Sequence, residues 1–117
     1  MTHPLSDPDI EIPPDQAAKA LQDGGATVID VREPYEHEAG HIEGTRHIEL
    51  ERLASKAETI DRDKPVIFLC RLGSRSLMAA QAFRRAGYDA YSMAGGITAW
   101  HEQNLPLVPD GGYIAPH

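Results

Sequence analysis

The stretch "KPVIFLC", residues 64–70, leaves this chain least freedom in how it folds. It is a continuous apolar run, the pattern of a β-strand covered on both faces rather than one with a wet side. A strand of that kind needs helices packed above and below its sheet, and the surrounding text supplies them. Residues 10–12 predict a short extended piece, and Pro13, Pro14 and Asp15 open a helix through about Leu21, closed by Gly24 and Gly25. "ATVIDV", residues 26–31, is a second buried strand. Residues 32–44 are polar, with Pro34 and two glycines, and predict loops with at most a short helical turn.

Beyond that loop, "TRHIEL" (45–50) is a candidate short strand, and "ELERLASKAETI" (49–60) predicts a short helix with Leu50, Leu53 and Ala57 on one face. After the apolar strand, Ala79, Ala82, Phe83 and Ala86 recur at helical spacing up to Gly87, a stop signal. "DAYSM" (89–93) is a last strand and "GGITAWHEQ" (95–103) a last helix. Strands alternating with helices predict an α/β domain with a mainly parallel sheet.

At 117 residues the chain has room for one core. The expected division is an N-terminal extension over 1–9, a domain over 10–107 and a C-terminal tail over 108–117, where Pro109, Gly111 and Gly112 oppose regular structure. The longest apolar run falls far short of the roughly 18 residues of a membrane span. "MTHPLSDPDIEI" has neither the basic region nor the apolar stretch of a leader, so a soluble, cytoplasmic protein is expected. A net charge of -7 disfavours nonspecific attraction to nucleic acid or anionic lipid, so an anionic substrate must be attracted locally. The single cysteine, Cys70, excludes an internal disulfide and any metal site built from several thiolates.

Sites in open parallel sheets form beyond the carboxyl ends of the strands. Cys70 ends the strongest strand, and "CRLGSRS" (70–76) runs straight into the alanine-rich helix. Backbone N–H groups there can curl around an anion at the positive end of the helix dipole, with Gly73 allowing angles a side chain forbids. A thiol so placed has its thiolate favoured, and Arg71 and Arg75 supply cations. Taken alone, such a cysteine reads first as a buried structural one; the arginines, glycine and serines after it, and the helix they open, reverse the reading toward a nucleophile.

Three ordered segments resemble the rhodanese family of sulfurtransferases. "VIDVREPYEHEAGHIEGTRHIEL" (28–50) is similar to the family's first signature, "CRLGSRS" to its active-site loop, and "MAGGITAWHEQNLPL" (93–107) to its closing signature. The resemblance implies a three-layer α/β/α domain with a mainly parallel five-stranded sheet. It implies a thiosulfate sulfurtransferase whose Cys70 cycles between thiolate and persulfide. Sulfane sulfur comes from thiosulfate or a similar donor and passes to cyanide, a small thiol or an acceptor protein thiol, with no cofactor and no metal. The backbone of Arg71, Leu72, Gly73, Ser74, Arg75 and Ser76 then cradles the persulfide, and Arg71 and Arg75 are candidates for attracting the donor. Ser74 and Ser76 are also candidate helix caps. Asp30, Arg32 and Glu36 are expected to lock the loop after the second strand, and Trp100 to sit in the core. Asn104 stands where the closing signature often has glycine; asparagine tolerates left-handed angles, so the helix end should persist.

Three rival readings follow from the same residues. Cysteine-based phosphatases and arsenate reductases also place Cys and Arg around an anion loop, but with five residues between them; here "RLGS" is four. A noncatalytic relative that docks a partner or relays sulfur would keep the fold. "HEAGH" (37–41) has the H-E-x-x-H spelling of a zinc hydrolase, but Gly40 within it and Pro34 before it oppose the long helix that such a site requires.

Overall fold

Strand β4, Val66–Leu69, is buried at every position. Its pleat sends successive side chains to opposite faces, so Ile67 and Leu69 enter one core with Ile12, Val28, Met93, Ile97 and Trp100. Val66, Phe68 and the following Cys70 enter another with Leu53, Ala80 and Phe83. The computed structural model describes residues 10–117, so the extension expected over 1–9 lies outside the described residues.

Around β4 stand β1 (Glu11–Ile12), β2 (Thr27–Asp30), β3 (Arg46–His47) and β5 (Ala90–Met93), in the order β1-β5-β4-β2-β3. Every pairing in the sheet is parallel, with Thr27 beside Val66 and Val66 beside Ala90. Helices α1 (Pro14–Asp23) and α5 (Gly96–Glu102) cover the first face through Ala17, Ala20, Ile97 and Trp100. Helices α3 (Leu53–Lys56) and α4 (Ser74–Arg85) cover the second through Leu53, Ala79, Ala80 and Phe83. The result is the three-layer α/β/α architecture with a five-stranded sheet that the sequence leads one to expect. Alanines on α4 let it lie close to the strands, and the small loops at both helix ends follow the turn chemistry. Pro14 occupies the first turn of α1, and Gly24 ends it at φ 70°. Asn104 does take a left-handed backbone, φ 61°, just past α5.

Three local expectations need correction. Residues 32–44 contain a real helix, α2 (Pro34–Ala39). It escaped the periodicity argument because the side chain it buries is Glu36, not a hydrocarbon. The segment 49–60 is not one helix: 3₁₀ turns at Leu50–Arg52 and Ala57–Thr59 flank α3. Leu50 to Leu53 and Ala57 to Ile60 are three apart, and the tighter 3₁₀ turn aligns such pairs toward the core. The strand expected over 45–50 narrows to Arg46–His47 at the sheet edge, where only β2 is available to pair with it.

Residues 108–117 contain no helix or strand, yet they lie along α2. His41 and Val108 exchange backbone hydrogen bonds of 2.9 and 2.8 Å, and the Tyr113 N–H donates to the Ala39 carbonyl at 2.9 Å. Ala115 is buried. Among the described residues no helix is long and apolar enough to cross a membrane.

Candidate active site

The loop after β4 is held by its carbonyls, which frees its N–H groups. The Cys70 carbonyl accepts the Ile97 N–H at 2.8 Å, and the Arg71 carbonyl accepts the Thr98 N–H at 3.1 Å. Both donors belong to the first turn of α5, whose N–H groups have no partner within their own helix. Gly96, at φ 63°, makes this junction possible: a Cβ there would overlap the carbonyls of Cys70 and Arg71. With the carbonyls turned to α5, the chain passes through Gly73 at φ 113° and enters α4 at Ser74.

The sulfur of Cys70 is 1% exposed by residue and sits at the start of α4. The Gly73 N–H donates to Sγ at 3.0 Å and the Ser76 N–H at 3.4 Å. The Ser76 hydroxyl lies 3.4 Å from Sγ, donates to the Gly73 carbonyl at 3.2 Å and shares a 2.7 Å hydrogen bond with the Ser92 hydroxyl of β5. No side chain caps α4, whose N-cap is Gly73, so the expectation that Ser74 or Ser76 caps it fails. Ser76 turns its hydroxyl toward the thiol instead. Backbone N–H donors that converge in this way at a helix N-terminus stabilise negative charge on a group bound there.

A second polar layer fastens α2 to this loop. Asp30 ends β2, and Arg32 binds it with both Nε and Nη2, at 2.9 and 2.7 Å. Arg32 also donates to the Glu36 carbonyl at 3.3 Å and the Gly40 carbonyl at 2.8 Å, at the end of α2. Both ion-pair partners are fully buried; removing one member of such a pair costs about 3–5 kcal/mol, because the other charge is left unpaired. Glu36 is equally buried. It accepts the Glu33 N–H at 2.9 Å, and its two carboxylate oxygens receive Nη1 and Nη2 of Arg75 at 2.9 and 3.1 Å. Burial pushes the Glu36 carboxyl up, but the Arg75 hydrogen bonds, the Glu33 amide and the Arg75 charge together hold it below the usual carboxylate value. For Arg75 burial acts downward, and the Glu36 carboxylate more than offsets it.

The candidate residues therefore separate by position. Cys70, Arg71, Leu72, Ser74, Arg75 and His117 line a pocket of about 170 Å³. Leu72 is 59% exposed at its rim. Gly73 and Ser76 lie beneath it, against the sulfur. Arg75 has its guanidinium committed to Glu36, whereas the Nε of Arg71 is buried with no hydrogen-bond partner among the described residues. Asp30 and Arg32 stand behind α2 and do not line the pocket. Sequence reasoning did not single out Ser92, Gly96 or His117. Paired glycines at 95–96 before a helix signal a close backbone approach; neither serine on a strand nor histidine in a tail gives any such local signal. A larger cavity of about 590 Å³, between α1, α5 and the 42–44 loop, shares no lining residue with the Cys70 pocket and is lined by no cysteine, serine, threonine or histidine.

Residues 13–103 match the family model described as "Rhodanese-like domain". The chain is 38% identical over 97 residues to a thiosulfate sulfurtransferase GlpE of Pseudomonas aeruginosa, covering 82% of this chain and 87% of that one. It is also 38% identical over 90 residues to a protein of the same name from Pseudomonas putida, covering 76% and 82%. Among solved structures, a rhodanese-related protein from Thermoplasma volcanium superposes with a TM-score of 0.79 at 30% identity, over 86% of this chain and 98% of the other.

Proposed function

The chain belongs to the rhodanese-like domain family, and from that premise we propose that it is a thiosulfate sulfurtransferase carrying sulfane sulfur as a persulfide on Cys70. The observation that carries the reading is the convergence of the Gly73 and Ser76 N–H groups on Sγ at the N-terminus of α4. In the first half-reaction the Cys70 thiolate attacks the outer sulfur of thiosulfate. A bond forms between Sγ and that sulfur, the sulfur–sulfur bond of thiosulfate breaks, and its electron pair leaves with sulfite. In the second, cyanide or a thiolate attacks the outer sulfur of the persulfide and the pair returns to Sγ. The terminal sulfur is anionic between the two steps, and preorganised N–H donors stabilise such charge without reorganising.

Within this scheme the roles divide as the contacts do. Arg71, with its unpartnered Nε, binds the sulfonate end of the donor. The backbone of residues 71–76 forms the cradle, Arg75 contributes charge to it while tying α2 to α4, and Leu72 and Ser74 shape the mouth. Asp30, Arg32 and Glu36 support the loop from behind. The acceptor is cyanide, a small thiol or a protein thiol, and the chemistry needs no metal or cofactor. The reading places the protein in the cytoplasm, where a lone thiol stays reduced, with neither nucleic acid nor membrane as partner. A phosphatase reading has less support, because the arginine it needs for phosphate is held bidentately by Glu36.

The deciding experiment is intact mass spectrometry after incubation with thiosulfate. The reduced protein should gain one sulfur atom and lose it to cyanide, and Cys70→Ser should gain none. A folded, reduced wild-type protein that stays unmodified overturns the donor assignment.

A further inference from the structure

The family match ends at residue 103, yet the pocket at Cys70 is completed by a residue beyond it. The segment after α5 is strapped along α2 at three successive places. Val108 and His41 pair through their backbones, Tyr113 donates its N–H to Ala39, and the Tyr35 hydroxyl donates to the Pro116 carbonyl at 3.0 Å. Between the last two anchors Ala115 is buried and Ile114 packs on the first core. Tyr113 and Gly112 lie so close to α2 that a Cβ on Gly40 would meet the Tyr113 backbone at 2.5 Å. The last anchor delivers His117 to the wall shared by Arg71 and Arg75, and its positive form lies near enough to Glu36 to help hold that carboxyl down.

We propose that His117 is a second donor-binding residue, placed by this strap to meet the sulfonate end of thiosulfate together with Arg71. The inference rests on the sulfur-transfer reading of Cys70. A sulfonate presents several acceptor oxygens, and an imidazole N–H lining the same pocket as a guanidinium satisfies an oxygen that Arg71 leaves free. The acceptor attacks the persulfide after sulfite has gone, so His117 bears on the donor half-reaction alone. Because the strap is secured by α2, the element that also binds Arg75 through Glu36, donor binding and loop support share one structural base.

The test separates the half-reactions in the full-length protein. Single-turnover persulfidation by thiosulfate is measured for wild type, His117→Ala and Tyr35→Phe, followed by discharge of the persulfide to cyanide. His117→Ala should weaken half-saturation by thiosulfate about tenfold, the loss of one charge-assisted hydrogen bond. Tyr35→Phe, which only loosens the last anchor, should weaken it less, and discharge to cyanide should be unchanged in both. Thiosulfate half-saturation within twofold of wild type in His117→Ala overturns this inference and leaves the sulfur-transfer reading standing. A wild-type protein that takes no sulfur from thiosulfate overturns both. His117 is exposed, so loss of fold, checked by circular dichroism, does not mask the outcome.

Discussion

Two arginines border the same sulfur, and their partners give them different work. Arg75 is bound through both terminal nitrogens to a buried carboxylate, while the buried Nε of Arg71 has no partner. A hydrogen bond between charged groups contributes about 1.5–3 kcal/mol. Arg71→Ala is therefore expected to lower kcat/KM for thiosulfate about 10–100-fold while the unfolding midpoint stays near that of wild type, and Arg71→Lys should recover part of the loss. Steady-state kinetics beside thermal melts check this; an Arg71→Ala protein with full activity would remove that side chain from donor binding. The order of these two residues around Cys70 is legible in "CRLGSRS". The partner of Arg75 is not, because Glu36 belongs to a helix whose only buried side chain is an acid, a pattern that resembles a solvated loop.

The loop between β4 and α4 works because another element holds it from outside. α5 presents its first N–H groups to the carbonyls of Cys70 and Arg71, and Gly96 lets the two backbones touch. Gly96→Ala should therefore cost more stability than Gly24→Ala. Both glycines have a left-handed φ, which strains alanine by about 1–2 kcal/mol, but a Cβ at Gly24 meets nothing within 4 Å. Gly96→Ala should also slow persulfidation of Cys70, and Gly24→Ala should not. Urea midpoints and single-turnover rates for the pair provide the comparison, and equal behaviour of the two variants would exclude Gly96 as the support of the cradle. Elements with simple periodicity, such as β4 and α4, were readable in advance. Those defined by a buried acid or by 3₁₀ turns were not, since their burial pattern follows partners elsewhere in the chain.

Across the molecule, acid should weaken the fold through groups that sit on α2. Burial, reinforced by the positive forms of His41 and His47, lowers His37 from 6.5 to about 4. The three rings stack, with centroids 3.9 Å apart for His37 and His41 and 4.4 Å for His37 and His47. Asp30 and Arg32 also act on His37, in opposite directions. Between pH 6.5 and about 4 the unfolded chain binds the proton that folded His37 refuses, so stability falls as pH falls through that window. Glu36 adds a second loss with the same sign: its folded value is below 4.5, so the stability it provides above that pH disappears as pH drops through the folded value. His37→Gln should flatten the upper part of this acid limb in urea unfolding followed against pH; an unchanged slope would show that His37 is not its source. The spelling "HEAGH" thus has a physical consequence of its own, since its two histidines lie four apart and meet face to face at the end of a six-residue helix. Strand and helix order, the parallel sheet, the position of Cys70 beyond a buried strand and the glycine of its loop were all present in the amino-acid text. They rest on interactions within a few residues, which local periodicity and turn chemistry express directly. Which side chains complete the site around the loop was settled by packing. Ser92 arrives on β5 against Ser76, Glu36 on α2 against Arg75 and His117 on the strap at the pocket, each brought there by long-range contacts that leave no local pattern in the chain.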